Sequence, residues 1–137
     1  MTRTLFYATR VIAPLFAALS CSGPSSVSPE ACNRDVQVAV LAGANPVFSW
    51  SPACGVSSLS VVTVPSTSGV SEELVWSFSV PEQNPIGPTI RYGIAPAGAT
   101  VWTQPHALVA GATYRVRVMQ TVGGDVLVGS GERLFTP

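Results

Sequence analysis

Lysine is absent from this sequence of 137 residues, and histidine occurs once. Charged residues make up 10% of the chain and hydrophobic residues 47%, which excludes the low hydrophobicity and high charge of disordered proteins. Without lysine there is no Walker phosphate-binding loop, and without a cluster of cations there is no surface for nucleic acid. The length suits one domain.

No apolar run is long enough for a lasting transmembrane anchor. Arg3 and Arg10 form a positive region without acidic residues, and nine apolar residues follow from 11 to 19, counting Pro14. Nine helical residues at about 1.5 Å each cover less than half of a hydrocarbon core of about 30 Å. This pattern predicts a signal peptide over residues 1–20. The alternative is an amphipathic helix, which Pro14 disfavours.

Ala18, Leu19, Ser20 and Cys21 resemble the lipobox of bacterial lipoproteins, with the leucine two places before the cysteine. The Ser/Pro/Gly composition of residues 21–31 predicts a flexible tether. The resemblance implies cleavage before Cys21 and acylation of that residue, and two or more acyl chains anchor a protein durably. We therefore expect a cell-envelope protein, held by lipid on the periplasmic or cell-surface side. The alternative is ordinary signal cleavage near the same point, which would give a secreted protein.

Three cysteines in an exported chain leave one without a disulfide partner. If Cys21 carries lipid, Cys32 and Cys54 remain as a pair in an oxidising compartment. Alternation over residues 36–40 and turn residues at 43–46 predict a hairpin. Folding it about residue 43 pairs positions whose numbers sum to 86, as 32 and 54 do. We predict a structural disulfide here, which would contribute about 3 kcal/mol in the loop-closure model.

Reactive groups are too few for a recognisable active site. His106 follows a proline in an irregular segment, which is typical of an exposed loop histidine and not of a general base. No serine has the G-x-S-x-G spacing, and no G-x-G-x-x-G occurs. One histidine and a committed cysteine pair leave no soft-metal cluster, and Asp125 stands alone in its turn. The sequence predicts no catalytic residue, no metal site and no cofactor, so we expect a protein that is not an enzyme.

Period-two alternation after residue 31 predicts about seven short strands over residues 32–137. This number of strands in about 105 residues favours an all-β fold, an antiparallel β-sandwich. The segment from 81 to 105 holds five prolines, so its two short strands, near 89–94 and 99–103, are expected at sheet edges or ends. A bulge or bend is expected at residues 129–131, where two glycines flank a serine.

Residues 48–52, Phe-Ser-Trp-Ser-Pro, resemble the tryptophan-bearing second strand of fibronectin type III domains. Leu108, Gly111 and Tyr114 resemble the tyrosine corner of that family, in which a tyrosine hydroxyl bonds to upstream backbone. The resemblance covers roughly residues 33–137 and implies an Ig-like sandwich with this tryptophan and tyrosine in the core. The whole pattern is similar to small bacterial lipoproteins that carry a single such domain.

A candidate binding surface consists of Trp102, Arg115 and Arg117. Trp102 is the one tryptophan without a place in the expected core. The two arginines lie at alternate positions of one strand, on its outward-facing side. Two or three arginines on a sheet face are more often solvated surface. As a contact patch, which Arg91 or Arg133 would extend, they would bind an acidic protein or an anionic glycan. Without the signal, five arginines face seven acidic residues, a net charge of −2, so broad attraction of anions is not expected.

Two main hypotheses follow from the sequence. The first is a non-catalytic interaction or structural module on a lipid anchor, with an envelope protein or a glycan as its partner. The second is a secreted or surface carbohydrate-binding module that uses Trp102. A third, a hydrolase with an unrecognised site that includes His106, has the least support from the residues.

Overall fold

The computed structural model describes residues 32–67, 69–81, 85–123 and 126–137. The predicted signal peptide, the tether and Cys21 lie outside these ranges. Eight strands are present among the described residues, and they are β1 (Gln37–Leu41), β2 (Val47–Ser51), β3 (Ser58–Thr63), β4 (Leu74–Ser79), β5 (Ile90–Arg91), β6 (Thr100–Thr103), β7 (Tyr114–Val122) and β8 (Val126–Phe135). No helix in this described part is long and apolar enough to cross a bilayer.

The strands form two sheets, one in the order β1-β2-β5 and one in the order β6-β4-β3-β7-β8. Every paired strand is antiparallel to its neighbour. The predicted all-β class and antiparallel sandwich are therefore confirmed, with eight described strands where about seven were expected. The Ig-like subtype stays a prediction.

The core lies between the sheets because alternate residues of each strand point inward. Along β7, Tyr114, Val116 and Val118 are buried, whereas Arg117 is exposed. Aromatic rings from both sheets meet in this layer, and Phe48 of β2 lies edge-on to Phe135 of β8 with ring centroids 5.5 Å apart. Such pairs add to the stabilisation that burial alone provides.

Both short strands of the proline-rich segment lie at sheet edges, as predicted. β5 borders β2 in the smaller sheet, and β6 borders β4 in the larger one. An edge strand forms inter-strand hydrogen bonds on one side only. A proline there, which has no N–H, therefore costs fewer of these bonds than it would in a central strand.

The predicted register of the first hairpin is wrong. Gln37 pairs with Ser51 and Leu41 with Val47, so paired numbers sum to 88 and the hairpin folds about residue 44. β2 ends at Ser51 because Pro52 has no N–H to donate to the ladder. Cys54 therefore lies outside the ladder.

The bulge or bend expected at residues 129–131 is found one residue earlier, at Val128, and β8 runs through 129–131 without a break. The glycines have a different cause. The chain passes so closely over Gly129 and Gly131 that a methyl group there would overlap the carbonyl oxygens of Arg34 and Val36. The Val36 N–H donates a 2.9 Å hydrogen bond to the Ser130 carbonyl, which ties the incoming chain to β8. The extra residue of the β7–β8 pair is Val128 on β8, since Gln120 pairs with Gly129 and Thr121 with Leu127.

The two ends of the sandwich are formed by different segments of the chain. One end, which we call the entry end, is where the chain runs past Gly129 at Arg34. The β7–β8 ladder ends there with the pair Val122 and Val126. At the far end, Tyr114 pairs with Phe135. β1 runs parallel to β8, since Arg34 lies against Gly129 and the later residue Val36 lies against Gly131.

Candidate binding surface

Trp102 is placed by a β-bulge on the edge strand β6. Thr103 pairs with Ser77 and Val101 with Phe78, so Trp102 is the extra residue between two paired positions. A bulge of this kind re-aims the side chain that it carries. The indole remains 71% exposed, and its Nε1 donates a 2.9 Å hydrogen bond to Ser79 Oγ, which fixes the orientation of the ring.

Four serines form the middle of the outer face beside this tryptophan. Ser60 pairs with Ser77, and Ser58 pairs with Ser79, across β3 and β4. Directly opposite residues of an antiparallel pair share a face, so these hydroxyl groups lie side by side. We call this patch the serine face, and it consists of Ser58, Ser60, Ser77 and Ser79.

Arg115 and Arg117 lie on the same outer face, on the side of β3 opposite to β4. Ser60 pairs with Arg117, which places the guanidinium beside the serine face. Arg117 Nη2 contacts Glu132 Oε2 at 3.1 Å, and Arg115 Nη1 contacts Glu72 Oε1 at 2.8 Å. Each guanidinium therefore already has a carboxylate partner, which disfavours an anionic ligand and favours a neutral one.

Arg91 and Arg133 do not extend this surface, so that part of the expectation is wrong. Arg133 pairs with the inward-facing Val116 and therefore points to the opposite side of the sheet from Arg117. Arg91 belongs to β5 of the other sheet. The period-two pattern assigns faces within one strand, whereas it does not say which strands lie in the same sheet.

The outer face is a polar strip between Trp102 at one edge and Arg117 towards the other. Three inter-strand spacings separate their strands, which corresponds to about 14 Å. The exposed ring offers a stacking surface, and the half-buried Ser58 and Ser60 offer neutral hydrogen-bonding groups. Ser77 is buried, and Ser79 Oγ already accepts a bond from Trp102. This arrangement suits a ligand that has both an apolar face and many hydroxyl groups.

Cys32 and Cys54 are both buried and their side chains interact, but no disulfide joins them in the structure, so the predicted bond stays a prediction. Burial, and to a lesser extent the hydrogen bond to Cys32, raise the pKa of the Cys54 thiol to about 11. Trp50 lies beside them, since its Nε1 donates a 2.7 Å hydrogen bond to the Cys54 carbonyl. A protonated, buried thiol is a poor nucleophile, so this pair is not suited to thiol exchange with external partners.

The Tyr114 hydroxyl accepts a 2.9 Å hydrogen bond from the Val109 N–H, five residues upstream. Its ring is buried and stacks on Phe135. Gly111 has a φ of +82°, a left-handed conformation that side-chain-bearing residues rarely adopt, and Leu108 packs partly buried against the core. The bond joins the loop before β7 to the start of that strand.

His106 has a structural part in the loop before this corner. Its N–H donates to the Val75 carbonyl, and its own carbonyl accepts a 2.6 Å bond from the Tyr92 hydroxyl. The side chain is exposed. Among the residues that the structure describes, no three of His, Cys, Asp and Glu lie together as a metal site would require.

The serine face and the two glutamates did not emerge as site residues from the sequence. The signal for the serines is the polar phase of two strands, where Ser58 and Ser60 alternate with Leu59 and Val61. Only the strand pairing shows that the polar residues of β3 and β4 lie next to each other and next to Trp102. No protein-family model, curated protein or solved structure matches this chain.

Proposed function

We propose that this protein is a lipid-anchored component of a bacterial cell envelope. Its β-sandwich serves there as a non-catalytic interaction or structural module. The signal pattern, the lipobox-like residues up to Cys21 and the Ser/Pro/Gly tether support the anchor. The bond from Val109 to Tyr114 supports a fibronectin III-like assignment of the sandwich.

One observation carries the proposal for the sandwich. The described chain enters along the β8 edge, against Gly129, and not across the outer face of the five-stranded sheet. On that face Trp102 is exposed and held by a hydrogen bond, and its strand β6 is an edge strand among the strands that the structure describes. A domain tethered at one end and open along one broad face is suited to present that face to a partner.

The anchor is tested by the variant Cys21→Ala in a bacterial host, with Ser22→Ala as the matched control. We expect C21A to lose incorporation of a labelled fatty acid and to leave the membrane fraction, whereas S22A keeps both. Equal fatty-acid labelling of C21A and the unaltered chain would overturn the lipid anchor at this residue. A secreted protein would then be the better description.

We also propose that Cys32 and Cys54 are joined by a disulfide in the exported protein. Their burial, their mutual interaction and an oxidising compartment support this pairing. The loop-closure model assigns the bond about 3 kcal/mol. A mass lower by two hydrogens without reductant tests it, and an unchanged mass would overturn it.

A second candidate function is the binding of a neutral carbohydrate, which the exposure of Trp102 favours. Sugar rings stack their apolar faces on an indole, and the serine face lies beside it with neutral hydroxyl groups. The pairing of Arg115 and Arg117 with glutamates supports a neutral glycan over an anionic one.

Titration with neutral oligosaccharides, followed by backbone NMR shifts, separates the two functions. Carbohydrate binding predicts shifts at Ser60, Ser77 and Trp102 that saturate with ligand. Trp102→Ala should abolish them, and Trp102→Phe should retain part of the binding because it keeps an aromatic ring. No saturating shift at these residues with any sugar tested would remove this candidate and leave a protein partner for the serine face.

A further inference from the structure

The hairpin of β7 and β8 carries a cluster of exposed aliphatic side chains at its end. Val122 is 52% exposed, Val126 63% and Leu127 56%. Val122 and Val126 are directly opposite each other, and Leu127 pairs with Thr121 on the next position. Val122 and Val126 therefore lie on one face of the hairpin and Leu127 lies on the other, and we call these three residues at its end the hairpin tip.

The hairpin tip extends past the strands on both sides of it. On the β7 side, β3 begins at Ser58, which pairs with Met119, and Ser57 reaches no further than Thr121. On the β8 side, the incoming chain contacts Gly129 and turns away towards Val36. Among the described residues, 122 and 126–127 therefore have strand partners only within the hairpin, Val126 for Val122 and Thr121 for Leu127.

The hairpin tip also lies at the end of the domain where the tether arrives. Arg34 lies against Gly129, two residues from Leu127, which is about 7 Å along a strand. Cys32, the first described residue, is two residues before Arg34. The tether from Cys21 to Cys32 has eleven steps, which span at most about 40 Å when extended and about 17–20 Å as a flexible coil.

We propose that the hairpin tip rests on the surface of the lipid bilayer that holds the acylated Cys21. This inference depends on the lipid anchor proposed above. The tether is short enough to keep the hairpin tip close to the membrane, so the contact forms within one tethered molecule at a high effective concentration. Three partly exposed aliphatic side chains then add a second contact to the acyl chains, at the headgroup boundary.

This contact must be stabilised by burial of apolar side chains, because the charges of the chain do not attract it to anionic lipids. Without the signal the chain has five arginines against seven acidic residues, and the single charge in the sequence between Thr121 and Glu132 is Asp125. Anionic lipids therefore should not strengthen the contact. Membranes of neutral phosphatidylcholine are the appropriate probe.

The test uses the acylated full chain, labelled through Val126→Cys with a fluorophore and reconstituted into phosphatidylcholine vesicles with brominated acyl chains. Thr136→Cys, at the exposed far end, carries the same label as the matched control. Cys32 and Cys54 are buried and so are protected from the label. We expect quenching by the brominated lipids to be at least about twofold greater at 126 than at 136, because only the hairpin tip reaches the acyl boundary.

Three results would contradict the inference, and each points to a different fault. Vesicles that float without the protein would overturn the lipid anchor and this contact together. Protein that floats, with equal quenching at 126 and 136, would overturn the contact alone. The combined change Val122→Ser and Leu127→Ser should reduce quenching at 126 to the level at 136, whereas Leu134→Ser, at the far end, should not. Undiminished quenching in the double variant would show that these side chains do not make the contact.

Discussion

Gly131 lies so close to Val36 that a methyl group on the glycine would overlap the Val36 carbonyl oxygen. The contact joins the last strand of the larger sheet to the chain just before the first strand of the smaller one. It closes one edge of the sandwich and fixes where the tether leaves the domain. Interactions between sequence-distant segments of this kind determine how the face and the hairpin tip are presented.

Gly131→Ala should lower the free energy of unfolding by about 2 kcal/mol or more, since the added methyl group must displace backbone. Gly87→Ala is the matched control, because no atom lies within 4 Å of its added carbon and its φ is not positive. It should change stability by less than about 0.5 kcal/mol. Chemical denaturation measures both. Equal stabilities for the two variants would contradict the close approach at β8.

Tyr114→Phe should cost about 1 kcal/mol, because the Val109 N–H loses its acceptor while the ring keeps its stacking on Phe135. Val109→Ala is a suitable control, since the exposed side chain is shortened and the N–H remains. That change should be nearly neutral. If Y114F were as stable as the unaltered protein, the hydroxyl would have no part in holding this corner.

The reduced protein should lose stability as pH rises from about 9 towards 11. The pKa of Cys54 is raised from its ordinary value of 9.0 to about 11 in the folded state, so the unfolded chain releases this proton first. Stability is therefore complete below about pH 9 and falls as the thiol of the unfolded chain ionises.

The oxidised protein provides the control for this pH dependence, because a disulfide has no thiol to titrate. The pKa of Tyr92 is raised to about 12 by burial and contributes an alkaline loss at higher pH in both forms. The two forms should therefore differ from pH 9 upwards, as measured by denaturation with and without reductant. Identical curves in the two conditions would contradict either the disulfide or the raised pKa, and the mass without reductant distinguishes these.

Trp102 should account for most of the fluorescence quenching by acrylamide, because Trp50 and Trp76 are buried and Trp102 is not. Trp102→Phe should leave two tryptophans that are quenched several-fold less, as expected for indoles shielded from solvent. Comparison of the quenching constants of the two proteins measures this. Unchanged quenching in W102F would show that the indole is covered in solution and is not part of an open surface.

The strands with strict alternation were predictable from the sequence, whereas contacts between strands were not. Tyr114, Val116 and Val118 revealed the inward face of β7 because burial of one face requires that period. Gly129 and Gly131 predicted a bulge that lies one residue earlier, at Val128, whereas the passage of residues 34–36 over them is not encoded by any local pattern. The first hairpin was placed one residue off its true centre, since turn residues at 43–46 permit more than one register.

The candidate surface was only partly predictable for the same physical reason. Arg115 and Arg117 could be placed on one outward face, since they belong to the same strand. Their pairing with Glu72 and Glu132 depends on how neighbouring segments align. The exposure of Trp102 follows from a bulge in β6, which depends on its register with β4.

The intact mass of the protein purified from its native membrane, with and without reductant, tests the lipid anchor and the disulfide together. The lipid-anchor account predicts a chain that begins at Cys21, carries added acyl mass and is lighter by two hydrogens when no reductant is present. A chain of unacylated mass would contradict the anchor and the membrane contact of the hairpin tip. A released protein that binds its ligand through the Trp102 face would then be the account to pursue.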